Sequence, residues 1–165
     1  LRRFTSCVDM SATRTGALII FERDNRLDDQ IRTGTILDAE TTAELLKNIF
    51  YPKAPLHDGA AIIRSGRIQA AGCMLPLSNN PNLSKELGMR HRAGIGMSEA
   101  SDAVVVIVSE ETGAISVAVN GMLKRHLTKD TFEKILRNEL IPEVKEEPTG
   151  AFRFLRRKEK DKADE

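Results

Sequence analysis

The run AVVVIV at residues 103–108 constrains the fold more than any other stretch of this chain. Five of its six side chains are β-branched, a kind that fits a pleated sheet and crowds a helix. It falls far short of the roughly 20 apolar residues that a membrane-spanning helix takes. The segment DAVVVIVS (102–109) therefore reads as a β-strand. EETG turns the chain, and AISVAVN (114–120) returns with alternating apolar positions. Asn120-Gly121 is a further turn signal, and MLKRHL adds a short strand after it.

Other strands are expected within GALIIFER (16–23), at AAIIR (60–64) and at RIQAAGCML (67–75), the last two joined as a hairpin through Ser65-Gly66. LDAETTAELLKNIF (37–50) reads as a helix with Leu45, Leu46, Ile49 and Phe50 on one face. Asp38 or Thr41 is its candidate cap, and Thr41 and Glu44 have the spacing of a capping box. Pro52 and Pro55 prevent its continuation. PLSNNPNLSKELGM (76–89) is mostly loop. HRAGIGMSEAS (91–101) suits a helix with small residues on one side, although Gly94 and Gly96 weaken it. TKDTFEKILRNEL (128–140) is a helix stopped by Pro142. Hairpins interleaved with helices imply an α/β or α+β fold with a mixed sheet. At 165 residues, one domain is expected, over 1–141. Residues 142–165 form a charged, flexible tail, in which Phe152, Phe154, Leu155 and neighbouring arginines are the one place for a membrane-surface or partner contact.

Charge narrows the partners. Lys and Arg number 25 against 24 Asp and Glu, so nothing global favours nucleic acid or an anionic membrane. One Tyr, six Phe and no Trp make a poor base-stacking platform. Cys7 and Cys73 form neither a metal spacing nor a disulfide framework, which fits a reducing cytoplasm.

Three short segments hold groups suited to chemistry. PLHDGA (55–60) puts His57 and Asp58 on one loop before a strand, with Gly59 allowing close approach to the backbone. Asp-Gly is equally an ordinary turn. Arg90-His91-Arg92 offers planar, bidentate donors for a polyphosphate. Residues two apart diverge on a helix, so both arginines converge only from an extended or turn segment, such as one just before a helix. A solvated surface cluster has the same composition. In SEETG (109–113), Glu110 or Glu111 suits a metal or a ribose hydroxyl, or is simply part of a charged hairpin. His126 reads as surface. The chain has no Walker loop, no dinucleotide-binding glycine fingerprint and no nucleophile elbow.

Taken in order, GALI, PLHDGA, LPLS, LGMRHRAGIG and VSEETG resemble the catalytic domain of bacterial diadenylate cyclases, over residues 16–127. The hallmark motifs of that family are Asp-Gly-Ala and Arg-His-Arg, here Asp58-Gly59-Ala60 and Arg90-His91-Arg92. The detail is similar to the membrane-anchored, CdaA-type branch, in which transmembrane helices precede a cytosolic domain. The chain starts at Leu1, so the resemblance implies a cytoplasmic catalytic portion whose parent protein is anchored by an upstream segment, with no membrane contact by the core.

The resemblance implies a single domain with a central mixed β-sheet flanked by helices. It also implies a reaction in which two ATP give cyclic di-AMP and two pyrophosphates across a face-to-face pair of copies, with a divalent metal ion (Mg²⁺, Mn²⁺ or Co²⁺). By resemblance Asp58 orients or deprotonates the ribose 3′-hydroxyl with metal help, and His57 is a metal or phosphate neighbour. Arg90 and Arg92, with His91 nearby, neutralise the polyphosphate. Gly59 and Ala60 give backbone passage, Leu75 contacts adenine, and Ser109 and Glu110 line the nucleotide site. Met74 stands where many relatives have Tyr; it packs on adenine without stacking as a ring does. Met89 stands where many have Thr, and Ala114 ends a SEETGG motif, so nucleotide affinity rather than reaction type is what these departures affect.

Overall fold

The computed structural model describes residues 2–141. The expected tail at 142–165 lies outside them. In chain order the elements are α1 (Arg2–Ala12), β1 (Ala17–Phe21), α2 (Asp28–Thr33), β2 (Thr35–Glu40), α3 (Ala43–Ile49), β3 (Ala60–Arg64), β4 (Arg67–Cys73), α4 (Met89–Ala100), β5 (Val104–Val108), β6 (Ile115–Val119), β7 (Met122–Lys124) and α5 (Lys129–Leu140). The strands form one seven-stranded sheet in the order β2-β4-β3-β1-β5-β6-β7. β1 and β3 run parallel, and the other neighbouring pairs are antiparallel, so the sheet is mixed.

Residues 104–108 of the AVVVIV run form β5, and both of its faces are covered. Val104, Val106 and Val108 face a layer built from Phe4, Cys7 and Met10 of α1, Leu46 and Ile49 of α3, and Phe132 and Leu136 of α5. Val105 and Ile107 face the opposite layer, with Ile31 of α2 and Ile95 and Met97 of α4. Strand side chains alternate between faces, so cover on both faces demands an apolar residue at every position. Each such side chain, fully buried, contributes roughly 1.5–3 kcal/mol relative to exposure.

The expected helix at 37–50 is corrected. Its first residues belong to edge strand β2, which pairs with β4 and breaks register between Ile36 and Ala39, where Asp38 takes φ 45°. The helix begins at Ala43, and its cap is Thr42, not Asp38 or Thr41: the Thr42 hydroxyl accepts the Leu45 N–H at 3.1 Å. The Thr41–Glu44 capping box is not formed, since the Thr41 hydroxyl is buried without a hydrogen-bond partner among the described residues. The apolar face is as expected, with Leu46, Ile49 and Phe50 buried and Leu45 packed beside them. α4 starts at Met89 rather than 91 and so takes in the Arg-His-Arg segment. The glycines that weakened this helix let it lie close: a Cβ at Gly94 would come within 2.9 Å of Ile107 Cδ1, and one at Gly96 would strike the Pro76 carbonyl. Helices α1 and α2 had no counterpart in the sequence reading.

Candidate functional site

The topology brings the candidate segments to one edge of the sheet. β1 and β3 are parallel and β5 is antiparallel to β1, so two strand starts and one strand end coincide. The register places Ala17 opposite Val108 and Ile19 opposite Ala61. The first turn of α4 comes to the same edge. Between them lies a cleft of about 410 Å³. It is lined by His57 and Asp58 ahead of β3, by Glu86, Gly88 and the Met89–His91 turn, and by Val108–Glu111 where β5 ends.

The Asp58 loop is held by its neighbours. The Ala54 carbonyl accepts the His57 N–H at 3.1 Å and lies 2.7 Å from His57 Nδ1. A carbonyl only accepts, so the Nδ1 proton points to Ala54 and Nε2 is the ring nitrogen left for a ligand. Asp58 itself is exposed. Gly59 takes φ 105°, and a Cβ there would fall 2.8 Å from the Cys73 carbonyl oxygen, so only glycine fits between Asp58 and the strand. Ala60 is fully buried at the start of β3 and supports the loop from below.

The second wall is a tight turn. The Ser109 N–H donates to Ala114 O at 3.0 Å, and the Ser109 hydroxyl accepts the N–H groups of Glu111 and Thr112 at 3.3 Å. From α1, the Ser11 hydroxyl donates to Gly113 O at 2.5 Å and ties the turn to the helix layer. Glu110 is thereby presented to Arg90, at 3.1 Å between Oε2 and Nη1. Arg90 is 22 % exposed and Glu110 66 %. The Arg90 Nε is buried without a hydrogen-bond partner among the described residues.

The third wall is the start of α4. Its cap is Gly88, which has no side chain to offer the first-turn amides, and a helix start of this kind favours an anion. Both arginines of Arg90-His91-Arg92 are inside the helix, which corrects the expectation of an extended segment on which they converge. Arg90 lines the cleft. Arg92 turns to the other side and donates from Nε to Leu87 O (3.2 Å) and from Nη2 to Ser84 O (3.3 Å), bracing the loop before the helix. Burial, with Arg125, Arg90 and His126 adding like charge, holds the His91 imidazole below its usual pKa. A second cleft of about 360 Å³ adjoins the first through Glu86, His91, Ser109 and Glu111, and adds Arg125 and His126.

Met74 and Leu75 do not line this cleft: the Met74 amide donates to Thr33 Oγ1 at 2.8 Å with its side chain exposed, and Leu75 packs against the apolar layer that holds Ile31, Ile95 and Ile107. Met89, on the rim, is 66 % exposed. Glu86, Gly88 and Arg125 went unread in the sequence. Glu86 and Gly88 sit on an irregular loop that Arg92 braces, and Arg125 follows the short β7, so no periodicity marked them.

For a metal ion, the cleft offers His57 Nε2 and the Asp58 carboxylate. No cluster of three or more His, Cys, Asp or Glu is assembled to hold one among the described residues. Those two donors would leave a bound divalent ion most of its coordination positions for phosphate oxygens and water.

Residues 4–123 match the DAC family, the DisA bacterial checkpoint controller nucleotide-binding family. The chain belongs to the DAC family. Its likeness is to the CdaA type: the cyclic di-AMP synthase CdaA of Bacillus subtilis (strain 168) is 52 % identical over 130 residues, covering 79 % of this chain and 48 % of the relative. The DAC chain spans about half the length of the curated relatives it matches. Among solved structures, a double mutant of DacA from Staphylococcus aureus matches with a TM-score of 0.83 at 47 % identity, over 84 % of this chain and 93 % of that one. A hypothetical membrane spanning protein from Bacillus cereus matches with a TM-score of 0.73 at 48 % identity, over 75 % of this chain and 61 % of that one.

Proposed function

We propose that this DAC chain is a diadenylate cyclase that condenses two ATP into cyclic di-AMP and two pyrophosphates. The observation that carries the reading is the meeting of Asp58 and Arg90-His91, far apart in sequence, across one cleft. The Bacillus subtilis relative is named a cyclic di-AMP synthase, which supports the same product.

In this reading each copy binds one ATP, and two copies meet with their clefts facing. Each ribose 3′-oxygen attacks the α-phosphorus of the other nucleotide, the bond to pyrophosphate breaks, and the hydroxyl proton leaves by way of Asp58 to solvent. A carboxylate alone is a weak base for a ribose hydroxyl. His57 Nε2 and Asp58 would hold a divalent ion, which would supply the missing acidity and screen phosphate charge. Arg90 and the open amides at the start of α4 meet the negative charge that builds on the phosphates. The adjoining cleft beside His91 and Arg125 gives room to the leaving pyrophosphate. Ser109 and Glu110 line the nucleotide site; Met74, Leu75 and Met89, outside or on the rim of the cleft, supply apolar contact for adenine. Arg92 acts by bracing the Ser84–Leu87 loop.

Among the described residues no helix is long and apolar enough to cross a membrane. We take the chain as the cytoplasmic catalytic portion of an anchored protein, a reading supported by the membrane-spanning description of the Bacillus cereus match. The catalytic unit is taken to close with α5.

The test is direct. The chain is incubated with ATP and Mg²⁺, Mn²⁺ or Co²⁺ at several protein concentrations, and cyclic di-AMP and pyrophosphate are quantified. Product whose specific activity rises with protein concentration is expected, and Asp58→Asn is expected to lose about 10²–10⁴-fold in turnover while still binding ATP. No product with any of the metals sinks the cyclase reading; ATP binding without turnover points to a nucleotide sensor instead.

A further inference from the structure

Gly16 stands just before β1, next to Ala17, whose register partner is Val108. It therefore lies beside the Ser109–Glu110 turn. A Cβ built on Gly16 falls 2.5 Å from Arg90 Nη1, 2.8 Å from Arg90 Cζ and 3.1 Å from Glu110 Cβ. Non-bonded heavy atoms settle at roughly 3.5–4.0 Å, so guanidinium and methyl group cannot share this space. Gly16 is not among the residues with positive φ, so its backbone would accept alanine. What glycine provides at this position is room.

We propose that Gly16 is a positioning residue for Arg90: the absent side chain is the recess in which the guanidinium lies, and it sets where the cleft's phosphate-binding charge stands. The recess complements the other constraints. Glu110 holds Nη1 from the solvent side, and the helix start fixes the Cα. Neither contact fills the space beneath the guanidinium, and Nε has no partner among the described residues, so no hydrogen bond from that atom to them locks the side chain. An added methyl would push chiefly on the far end of the flexible Arg90 side chain, while Glu110 Cβ would have to give by only a few tenths of an ångström. It would therefore displace Arg90 at little cost to the fold. This inference rests on the reading of Arg90 as a phosphate ligand.

The test is a double-mutant cycle in ATP binding on the full chain: wild type, Gly16→Ala, Arg90→Ala and the double variant, with a thermal melt of each. Gly16→Ala is expected to weaken ATP binding by about tenfold in the wild-type background and to have no further effect in Arg90→Ala, the signature of residues that act through one contact. Its melting temperature should stay near that of wild type. Equal weakening in both backgrounds, or binding as in wild type, overturns the proposal; so does a loss of binding that merely follows a large loss of stability. If wild type itself fails to bind ATP, the functional reading fails. The Arg90 Nε–H resonance in NMR then still decides the recess: a shift between wild type and Gly16→Ala supports it, and an unchanged resonance overturns it.

Discussion

Strands β1 and β3 carry an arginine site at each end, and the two sites are built on opposite plans. Where the strands finish, Arg64 grips Glu22 through Nε and Nη2 at 2.7 and 2.8 Å and Asp28 through Nη2 at 2.7 Å. The Leu27 N–H donates to the same Glu22 carboxylate, whose side chain is only 4 % exposed. Where the strands begin, Arg90 has one ion pair at 3.1 Å to an exposed glutamate and a buried Nε with no partner among the described residues. The fold engages three of the first arginine's five N–H donors. The second keeps unused donors at the edge of a cleft, and its exposed pair is worth at most about 1 kcal/mol, little enough to exchange for a phosphate. An arginine's share of satisfied donors thus separates a structural role from a ligand-binding one, although the residue type is the same.

Exchanging each arginine for alanine should split the two roles. Arg90→Ala is expected to lower kcat/KM for ATP by about 10²–10³-fold, as removal of a charge-stabilising donor does, with stability changed by less than about 1 kcal/mol. Steady-state kinetics and a urea melt measure both. Arg64→Ala should show the reverse: about 2 kcal/mol of stability lost, because Glu22 keeps its buried charge without its main partner, and activity per folded molecule within about twofold of wild type. A large kinetic defect in Arg64→Ala, or a collapse of stability in Arg90→Ala, would break the comparison.

Little of this contrast was legible in the sequence, and the reason is physical. β5 and β6 could be read because cover on both faces, or regular alternation, leaves a local imprint on residue order. β2 could not: as an edge strand with a register break at Asp38 it shows no clean period, and its residues run straight into a helix with a strong apolar face. The amphipathic α1 lies outside the motif segments, and α2 has six residues, too few to establish a helical repeat. His57, Asp58, Arg90 and Glu110 could be singled out by chemistry and by order of motifs. Their meeting depends on strand order and on one parallel pair, which no local segment encodes. Gly16 illustrates the limit: as a letter it reads only as the start of a strand, and its meaning comes from an arginine far along the chain.

Acid should reveal the difference between the two ends more finely than mutation alone. Burial opposes the charge of Glu22, yet the hydrogen bonds from Arg64 and Leu27 and the charges of Arg64 and Arg26 together hold its carboxyl below the usual range. Hydrogen bonds from Arg26 and Arg64 bring Asp28 down to about 2. Both groups therefore bind fewer protons in the folded chain than in the unfolded one, so their contribution is complete above the ordinary carboxylate range, near pH 4, and is lost as pH falls through the lowered folded values. The stability gap between wild type and Arg64→Ala should accordingly be widest at neutral pH and close progressively between about pH 4 and pH 2. Urea midpoints of the two proteins, taken across that range, follow the gap. If it stays constant down to about pH 2, Arg64 does not hold the Glu22 and Asp28 carboxylates ionised, and it loses its claim to differ in kind from the arginine at the cleft.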